Sequence, residues 1–346
     1  MTLRALRSAL LKATVGSMFQ RNVTMGFFVL HQTSRRAKQL FVLLMALVPP
    51  LRRGLNRYYL TLNNAGLADF QRRYAKIFRR KPIQRLVRGS SAQWTTRFMA
   101  RDILMPLTPS MIWRDWDSAL SITGNDIEVK QTYSTFLASD NRPDIFFDVG
   151  ANYGTHSILF RSADVSVIAF EPNPTCFEFC TQVCRLNGFS VPRWENVAIG
   201  SHIADVDLIY PERDTWLGST SPTVIDMVSS ASEVIRVRVP QRVLDDYYDE
   251  VVGKKLLIKI DVEGAEIEVL RGASRILDDI RPAVIFESND HTLRAQLYDL
   301  LVSHNYGIYC LPWRLVERPL PMEQLEFCNG ASVNFIAMPH PVSTES

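Results

Sequence analysis

The 346-residue chain is poor in cysteine and has no regularly spaced histidines. The first shortage argues against a small disulfide-held domain and the second against a structural zinc site. Five cysteines, an odd number in a long chain, do not resemble the dense, even framework of a small disulfide-held domain. Cys176, Cys180 and Cys184 recur every four residues on one predicted helix face, and we expect them to be buried as small apolar side chains. The six histidines show no ligand-like spacing, so no structural zinc is predicted and no residue is assigned as a metal ligand.

Acidic residues are almost missing from the first part of the chain. Residues 1–100 hold 19 lysines and arginines against one acid, Asp69, although the whole chain carries a net charge of only +3. A basic arm therefore precedes an acidic body. We predict a basic N-terminal extension over residues 1–95, helical or partly disordered, an entry segment packing on the core over 96–140, and the main domain over 141–346.

A long apolar segment is also missing from this basic arm. Its longest uninterrupted apolar run, residues 40–48, is too short to cross a bilayer, which needs about 20 residues. Three interpretations stay open: an amphipathic segment on an anionic membrane, a helical extension packed on the body, and an organelle transit sequence. No nucleic-acid motif accompanies the arm, so no nucleic-acid partner is expected. We expect a cytoplasmic protein, peripheral to the membrane under the first interpretation.

From about residue 141 the sequence alternates between apolar runs and amphipathic segments. Predicted strands cover 143–149, 165–170, 191–199, 256–260, 283–286, 306–311 and 332–338, with a partly exposed strand over 233–240. Predicted helices cover 153–161, 175–186, 263–277 and about 291–303. Strands that alternate with helices predict an α/β domain with a parallel sheet covered on both faces.

A glycine-containing turn follows the first of these strands, with the pattern Asp148-x-Gly150-x-x-x-Gly154. Gly150 permits a tight turn and close approach of a ligand, and the following helix offers free N–H groups to a carboxylate. Asn152 replaces the second glycine of the G-x-G-x-x-G pattern that binds a pyrophosphate, which argues against a nicotinamide-dependent oxidoreductase. Asp148 is a candidate partner for a ligand ammonium group.

Glu171 ends the second strand, 21 residues after Gly150. A carboxylate at this position can accept hydrogen bonds from both hydroxyls of a ribose. Together with the glycine turn, it predicts a ligand that contains a nucleoside.

Four ionisable residues cluster where the later strand over 256–260 ends. Lys259 and Asp261 have the same parity, so their side chains point to the same side of the sheet. Glu263 and Glu266 are three residues apart, and we expect them to share one helix face. Charges at this density at a strand end favour a functional site over a simple start of a helix.

The motifs around these residues resemble those of the FkbM family of methyltransferases. The resemblance covers about residues 141–340 and excludes the first 140. It rests on the colinear segments Phe147–Gly154, Phe170–Pro174, Asn196–Gly200, Leu257–Glu266, Val269–Ala273, Ile285–Glu287 and Asn334–Met338.

This resemblance implies a class I methyltransferase fold, Rossmann-like, with a seven-stranded sheet whose last strand is antiparallel. It also implies S-adenosyl-L-methionine as the cofactor and O-methylation of a hydroxyl on a sugar, glycolipid or secondary metabolite, so the expected partner is a hydroxylated small-molecule or glycan acceptor. The stretch 218–221 resembles the Gly/Ser segment of the family only loosely. By position, the resemblance implies that the loop on the methionine side of the cofactor is formed by Asp148, Gly150, Asn152 and Gly154, that Glu171 binds the ribose and that Asn196 borders the adenine. It implies that the reaction side is lined by Lys259, Asp261 and Glu263, and that Asp261 also lies beside the cofactor. The substrate side would be formed by Glu266 and Glu287.

Methyl transfer to a hydroxyl needs a base for the departing proton and an aligned acceptor. Our hypothesis gives the proton to Asp261 or Glu263, with Lys259 steadying the developing charge, and His156 is an alternative base. A competing interpretation is a catalytically silent cofactor-binding module that the basic arm recruits to a membrane or partner.

Overall fold

A computed structural model describes residues 48–79, 92–108, 110–211, 218–220, 234–314 and 319–341. The chain divides into two compact units, one formed by residues 1–97 and 105–125 and the other by residues 98–104 and 126–346. Much of the predicted basic arm, including the apolar run over 40–47, lies outside the described residues. In the part of the chain that is described, no helix is long and apolar enough to cross a membrane.

The first unit is built around aromatic side chains. Trp94 and Trp116 meet edge to face with their ring centroids 4.9 Å apart, and Tyr59 packs on Trp94 at 5.2 Å. The Tyr59 hydroxyl bonds to Thr123 Oγ1 at 3.0 Å, which satisfies the phenol inside this core. The helices of this unit are α1 (Pro49–Tyr59), α2 (Asn64–Tyr74) and α3 (Ile112–Gly124), and the strands β1 (Ala92–Phe98) and β2 (Arg101–Leu107) form a two-stranded sheet.

The second unit contains a mixed seven-stranded sheet in the order β11-β12-β10-β9-β3-β4-β5. Its strands are β3 (Ile145–Val149), β4 (Ser166–Phe170), β5 (Arg193–Glu195), β9 (Leu256–Ile260), β10 (Ala283–Glu287), β11 (Tyr306–Cys310) and β12 (Asn334–Pro339). The helices are α4 (Ile127–Leu137), α5 (Thr155–Ser162), α6 (Phe177–Asn187), α7 (Tyr248–Val251), α8 (Glu266–Arg271), α9 (Arg294–Ser303) and α10 (Gln324–Asn329).

Strand β3 lies at the centre of the sheet and is buried on both faces. Phe146 stacks on Phe160 of α5 at 3.8 Å, while Phe147, pointing the other way, contacts Phe170 of β4. Because both faces of β3 pack against apolar residues, its sequence is a continuous hydrophobic run. β12 pairs antiparallel with both β10 and β11. The predicted seven-stranded α/β sheet with an antiparallel last strand is confirmed.

The strand order places a crevice next to β3. From β3 the chain adds β4 and β5 on one side, whereas β9 and β10 extend the sheet on the other. Because the connections leave in opposite directions, the carboxyl ends of β3 and β9 border the position where open α/β sheets bind ligands. The glycine-containing turn after β3 and the charged cluster after β9 both begin at these two strand ends.

The predicted strand over 191–199 is wrong in one respect, because it is two strands in different sheets. β5 pairs with β4 as far as Glu195, and β6 (Ala198–Ile199) pairs with β8 (Val234–Arg242) in a separate three-stranded sheet with β7 (Ala204–Pro211). Asn196 lies at the break, where its side chain donates to the carbonyl of Glu171 at 3.2 Å. The partly exposed strand predicted over 233–240 is confirmed as β8.

The predicted helix over 263–277 is also wrong at its start and in its continuity. Glu263 and Gly264 have φ values of +52° and +98°, which no right-handed helix contains. The helix α8 therefore begins at Glu266 and ends at Arg271, and a π-helical turn, Ile276–Ile280, follows separately. Glu263 and Glu266 do not share a helix face.

Candidate functional site

The turn after β3 is held by the buried carboxylate of Asp148. Its Oδ2 accepts hydrogen bonds from the backbone N–H of Ser157 at 2.9 Å and from the Ser157 hydroxyl at 2.6 Å. Its Oδ1 is buried and has no hydrogen-bond partner among the described residues. Burial raises the pKa of Asp148, although the nearby charge of Lys259 opposes the shift. One oxygen therefore fixes the first turn of α5 and the other is left for a ligand.

Two glycines in this turn are required by their neighbours. Gly150 has a φ of +79°, and a side chain there would overlap the carbonyl oxygen of Asp261. Gly154 has a φ of +73°, and an added Cβ would lie 2.7 Å from the sulfur of Cys180. Glycine tolerates this backbone and this proximity, whereas other residues do not. Cys176, Cys180 and Cys184 are buried as predicted, and Cys180 packs directly under the turn.

Glu171 joins the end of β4 to the same turn. Its Oε2 accepts the backbone N–H of Asn152 at 2.8 Å, and its Oε1 accepts that of Asn173 at 2.8 Å. Burial raises the pKa of Glu171 to about 7, while these two hydrogen bonds oppose the shift. Asn152, Glu171 and Asn196 thus lie together, since Asn196 donates to the Glu171 carbonyl.

Lys259 and Asp261 form an ion pair at the end of β9. The Lys259 ammonium is buried and donates to Asp261 Oδ2 at 2.7 Å. Burial alone would raise the pKa of Asp261, but the charge of Lys259 and a hydrogen bond from Glu287 outweigh it and hold the pKa below its ordinary value. The two side chains lie on the same side of the sheet, as their parity predicts, and Asp261 is the ionised member of the acidic group.

Glu263 and Glu287 complete a cluster of three carboxyl groups with Asp261. One oxygen from each lies within 4.8 Å of the others, a spacing at which a divalent cation could contact all three. Burial and the charge of Asp261 raise the pKa of Glu263 to about 7 and that of Glu287 to about 9. Since like charges this close resist ionisation together, Glu287 keeps its proton at neutral pH and shares it with Asp261.

Glu266 is turned toward its own loop. Its Oε1 accepts the backbone N–H groups of Val262 at 3.3 Å and Gly264 at 3.1 Å. These contacts fix the left-handed loop that presents Glu263. Glu266 thus positions Glu263 by holding the loop that carries it.

His156 bonds to a phenol, and this contact bears on its use as a base. Its Nδ1 lies 2.9 Å from the hydroxyl of Tyr133, which is fully buried. This hydrogen bond occupies Nδ1 in either tautomer, with the phenol as donor when the imidazole hydrogen is on Nε2 and as acceptor when it is on Nδ1. Burial, reinforced by Lys130 and Lys259, holds the pKa of His156 well below its ordinary value. With its pKa lowered in this way, the imidazole is neutral and is a weak base.

Three residues near the charged cluster were not found from the sequence. Ser219 donates to the carbonyl of Glu263 at 2.8 Å, and Asn334, the β12 partner of Glu287, donates to Glu128 Oε1 at 2.9 Å. Lys130 on α4 is buried and close enough to Asp261 to lower the pKa of that carboxyl. Ser219 lies in the 218–221 stretch and Asn334 begins the last segment of the family resemblance, but neither received a role from the sequence. Lys130 lies far from the cluster in sequence and carries no local signal.

Residues 148–307 match the family model described as the methyltransferase FkbM domain. This chain carries an FkbM methyltransferase domain. The matched segment begins at Asp148 and includes Glu171, the ion pair at the end of β9 and Glu287, so the FkbM domain holds most of the site residues described above.

Curated relatives of the FkbM domain are methyltransferases. The chain is 28% identical over 151 residues to the hexuronic acid methyltransferase AglP of Haloferax volcanii, an alignment that covers 43% of this chain and 58% of that protein. It is 26% identical over 188 residues to the methyltransferase sdnD of Sordaria araneosa, covering 46% of this chain and 73% of that protein. The first of these alignments spans little more than half of the relative.

A solved structure described as methyltransferase FkbM from Methylobacillus flagellatus shares 15% sequence identity with the chain. The superposition has a TM-score of 0.37 and covers 66% of this chain and 54% of that chain.

Proposed function

We propose that the chain transfers a methyl group from S-adenosyl-L-methionine to a hydroxyl oxygen of a sugar-like acceptor. The observation that carries the proposal is the contact between the two halves of the site. Gly150 of the cofactor turn abuts the backbone of Asp261, whose carboxylate is paired with Lys259. A ligand seated on the turn therefore lies beside an ionised carboxylate.

The residues at the turn fit the proposed cofactor. Asp148 Oδ1 is a buried acceptor without a described partner, suited to an ammonium group, and Gly150 and Gly154 let the turn pack closely against Asp261 and Cys180. Glu171 would accept the ribose hydroxyls, Asn152 would face the methionine side, and Asn196 would border the adenine. When bound, the cofactor supplies an electrophilic methyl group on a sulfonium.

The charged cluster would accept the proton that leaves the acceptor hydroxyl. Asp261 or Glu263 accepts the hydroxyl proton as the oxygen attacks the methyl carbon, and Lys259 holds Asp261 in its ionised form. Glu287 already carries a proton that it shares with Asp261, so Glu263 is the carboxylate that changes state nearest neutral pH. A general base of this kind contributes about 10²- to 10⁴-fold in rate.

Support for a sugar-like acceptor comes from the relative that acts on a hexuronic acid. Sugars present hydroxyls that the cluster could deprotonate, and their polar edges suit a site lined by carboxylates. Peripheral contact of the basic arm with an anionic membrane is a separate proposal, drawn from its charge alone.

Transfer of labelled methyl groups into pools of glycans, lipids and small metabolites tests the proposal, alongside titrations with S-adenosylhomocysteine and with NAD. We expect S-adenosylhomocysteine to bind and NAD not to bind. The Asp261→Asn variant should lower transfer about 10²-fold or more while leaving S-adenosylhomocysteine affinity nearly unchanged. Equal transfer by the variant contradicts the assigned base, and cofactor binding without turnover in any pool favours a silent module.

A further inference from the structure

The loop that carries Glu263 has a strained backbone. Glu263 has a φ of +52°, in the left-handed region that residues with a Cβ rarely adopt, and Gly264 follows at +98°. A residue keeps such a conformation only where the surrounding contacts hold it there. The contacts made by this loop therefore decide where the Glu263 carboxyl lies.

Two side chains hold the peptide groups of this loop. Glu266 accepts the N–H groups on either side of Glu263, those of Val262 at 3.3 Å and Gly264 at 3.1 Å. Ser219 holds the carbonyl between them, because its hydroxyl donates to the Glu263 oxygen at 2.8 Å. Glu266 belongs to the helix that the loop enters, whereas Ser219 is 44 residues away in sequence. Ser219 thus ties the loop to a distant part of the second unit.

Ser219 is itself fixed to a sheet. Its backbone N–H and carbonyl pair with those of Ile209 in β7 at 3.0 and 3.1 Å, and the residue is 2% exposed. Strand β7 pairs in turn with β8 along its whole length. Because the donor is anchored in this way, its hydroxyl holds the Glu263 carbonyl in place and does not simply follow it.

The position of the Glu263 carboxyl depends on the conformation of the loop. One of its oxygens lies within 4.8 Å of an oxygen of Asp261 and of an oxygen of Glu287. If the loop relaxed to a negative φ, the Cα–Cβ bond of Glu263 would point in another direction and the carboxyl would leave this cluster. A base that is displaced by even 1 Å loses much of its effect.

We propose that Ser219 is a positioning residue for methyl transfer, which keeps the Glu263 carboxyl beside Asp261 by holding the Glu263 carbonyl. The inference rests on the proposed function, in which Glu263 accepts the proton of the acceptor hydroxyl. Ser219 acts on the reaction through Glu263 and is not itself a catalytic residue.

A double-mutant cycle on the full chain tests whether Ser219 acts through Glu263. The assay is transfer of labelled methyl groups from S-adenosylmethionine into a pool of glycans and small metabolites that the natural chain methylates. Ser219→Ala should lower kcat about tenfold with an unchanged KM for S-adenosylmethionine, because a displaced general base loses part of its contribution. In the Glu263→Gln background, the same change should lower kcat less than about twofold, since the group that Ser219 positions is already lost. Equal effects of Ser219→Ala in both backgrounds overturn the inference.

Ser219→Ala should also move the rising limb of kcat to lower pH. A released Glu263 carboxyl gains solvent and leaves its charged neighbours, so its pKa should fall from about 7 toward its ordinary value. The charged groups around it are the carboxyl groups of Asp261, Glu266 and Glu287 and the ammonium of Lys259. A limb at its natural position in Ser219→Ala contradicts the displacement of Glu263.

Two further variants separate positioning from a general loss of stability. Ser219→Thr keeps the hydroxyl and should recover most of the lost kcat. Ser162→Ala is the matched control, because Ser162 is 3% exposed and its hydroxyl donates to the Leu159 carbonyl at 2.7 Å. It should leave kcat unchanged, and a loss equal to that of Ser219→Ala overturns the inference. Unchanged S-adenosylhomocysteine affinity shows that Ser219→Ala is folded, whereas a natural chain that methylates no pool overturns the proposed function instead.

Discussion

Three carboxyl groups with different pKa values occupy a small volume at the ends of β9 and β10. The pKa of Asp261 is held low by Lys259, whereas burial and the charge of Asp261 raise the pKa values of Glu263 and Glu287. Because the environments push the three groups apart, each has a distinct protonation state near neutral pH. The shifts give the proposed reaction a pH dependence that can be assigned to single residues.

The rate of methyl transfer should rise with pH through about 7. Burial raises the pKa of Glu263 to about 7, and below that pH the residue is protonated and cannot accept a proton. Glu263→Gln should abolish this rise and lower kcat about 10²-fold. The measurement is kcat between pH 5.5 and 8.5, with the partly exposed Glu268→Gln as control. A full rising limb in Glu263→Gln would assign the base elsewhere.

Glu171 should control cofactor affinity without controlling the reaction. Burial raises its pKa to about 7, so its carboxylate is ionised, and best able to accept ribose hydroxyls, above that pH. Glu171→Gln should weaken S-adenosylhomocysteine binding about tenfold or more, since it removes a charged acceptor. Calorimetric titration at pH 8 checks this, with the exposed Glu178→Gln as control. Unchanged affinity would remove Glu171 from the cofactor site.

Much of the site could be predicted from single residues near strand ends. Glu171 and the Lys259–Asp261 pair follow from strand parity and from the rule that ligands bind at the carboxyl ends of parallel strands. The direction of Glu266 could not be predicted, because it depends on a left-handed loop with no sequence marker beyond Gly264. Lys130 could not be predicted either, because its position depends on how α4 is fastened to distant strands.

Among the elements, strands were easier to locate than the boundaries of helices. The bounds predicted for β9 match those in the structure, because five consecutive buried residues make an unambiguous apolar run. The start of α8 was missed by three residues, since Glu263 adopts a positive φ that its residue type rarely takes. The division of residues 191–199 between two sheets depends on tertiary pairing with β8, which local pattern does not encode.

The turn between β3 and α5 provides a test at the level of an element. Gly150→Ala should lower stability by more than the roughly 1–2 kcal/mol that a left-handed alanine costs, because its Cβ would also overlap the Asp261 carbonyl. It should also abolish S-adenosylhomocysteine binding. Gly253→Ala is the matched control, with a φ of +75° and open space around the added Cβ. Thermal unfolding of both variants gives the comparison, and equal losses would contradict the close packing of the two loops.

Across the whole chain, the excess of basic residues and the buried carboxyl groups lie in different regions. The net charge of +3 conceals a basic arm, most of which lies outside the described residues, so its contact with a membrane stays a prediction. The second unit instead concentrates acidic groups at one sheet edge, where burial raises the pKa values of Glu171, Glu263 and Glu287. Groups of this kind tie the stability of the folded chain to pH.

Glu287 should make the ligand-free protein lose stability as the solution becomes alkaline. Its pKa is about 9 in the folded state and 4.5 ordinarily, so the folded state holds a proton that the unfolded chain releases. The stabilising effect is complete below pH 4.5 and is lost as pH rises toward 9. Between pH 7 and 9 the loss should be roughly 1–2 kcal/mol, after allowance for partial solvent exposure.

Glu287→Gln tests this effect, because glutamine can still donate to Asp261 but does not titrate. The variant should lose less stability than the natural chain between pH 7 and 9, a difference of roughly 3–6 °C in Tm. The exposed Glu326→Gln should follow the natural chain throughout. Parallel Tm curves for Glu287→Gln and the natural chain would mean that Glu287 is already ionised at pH 7. The shared proton would then be absent, and Lys259 would face two ionised carboxylates, Asp261 and Glu287.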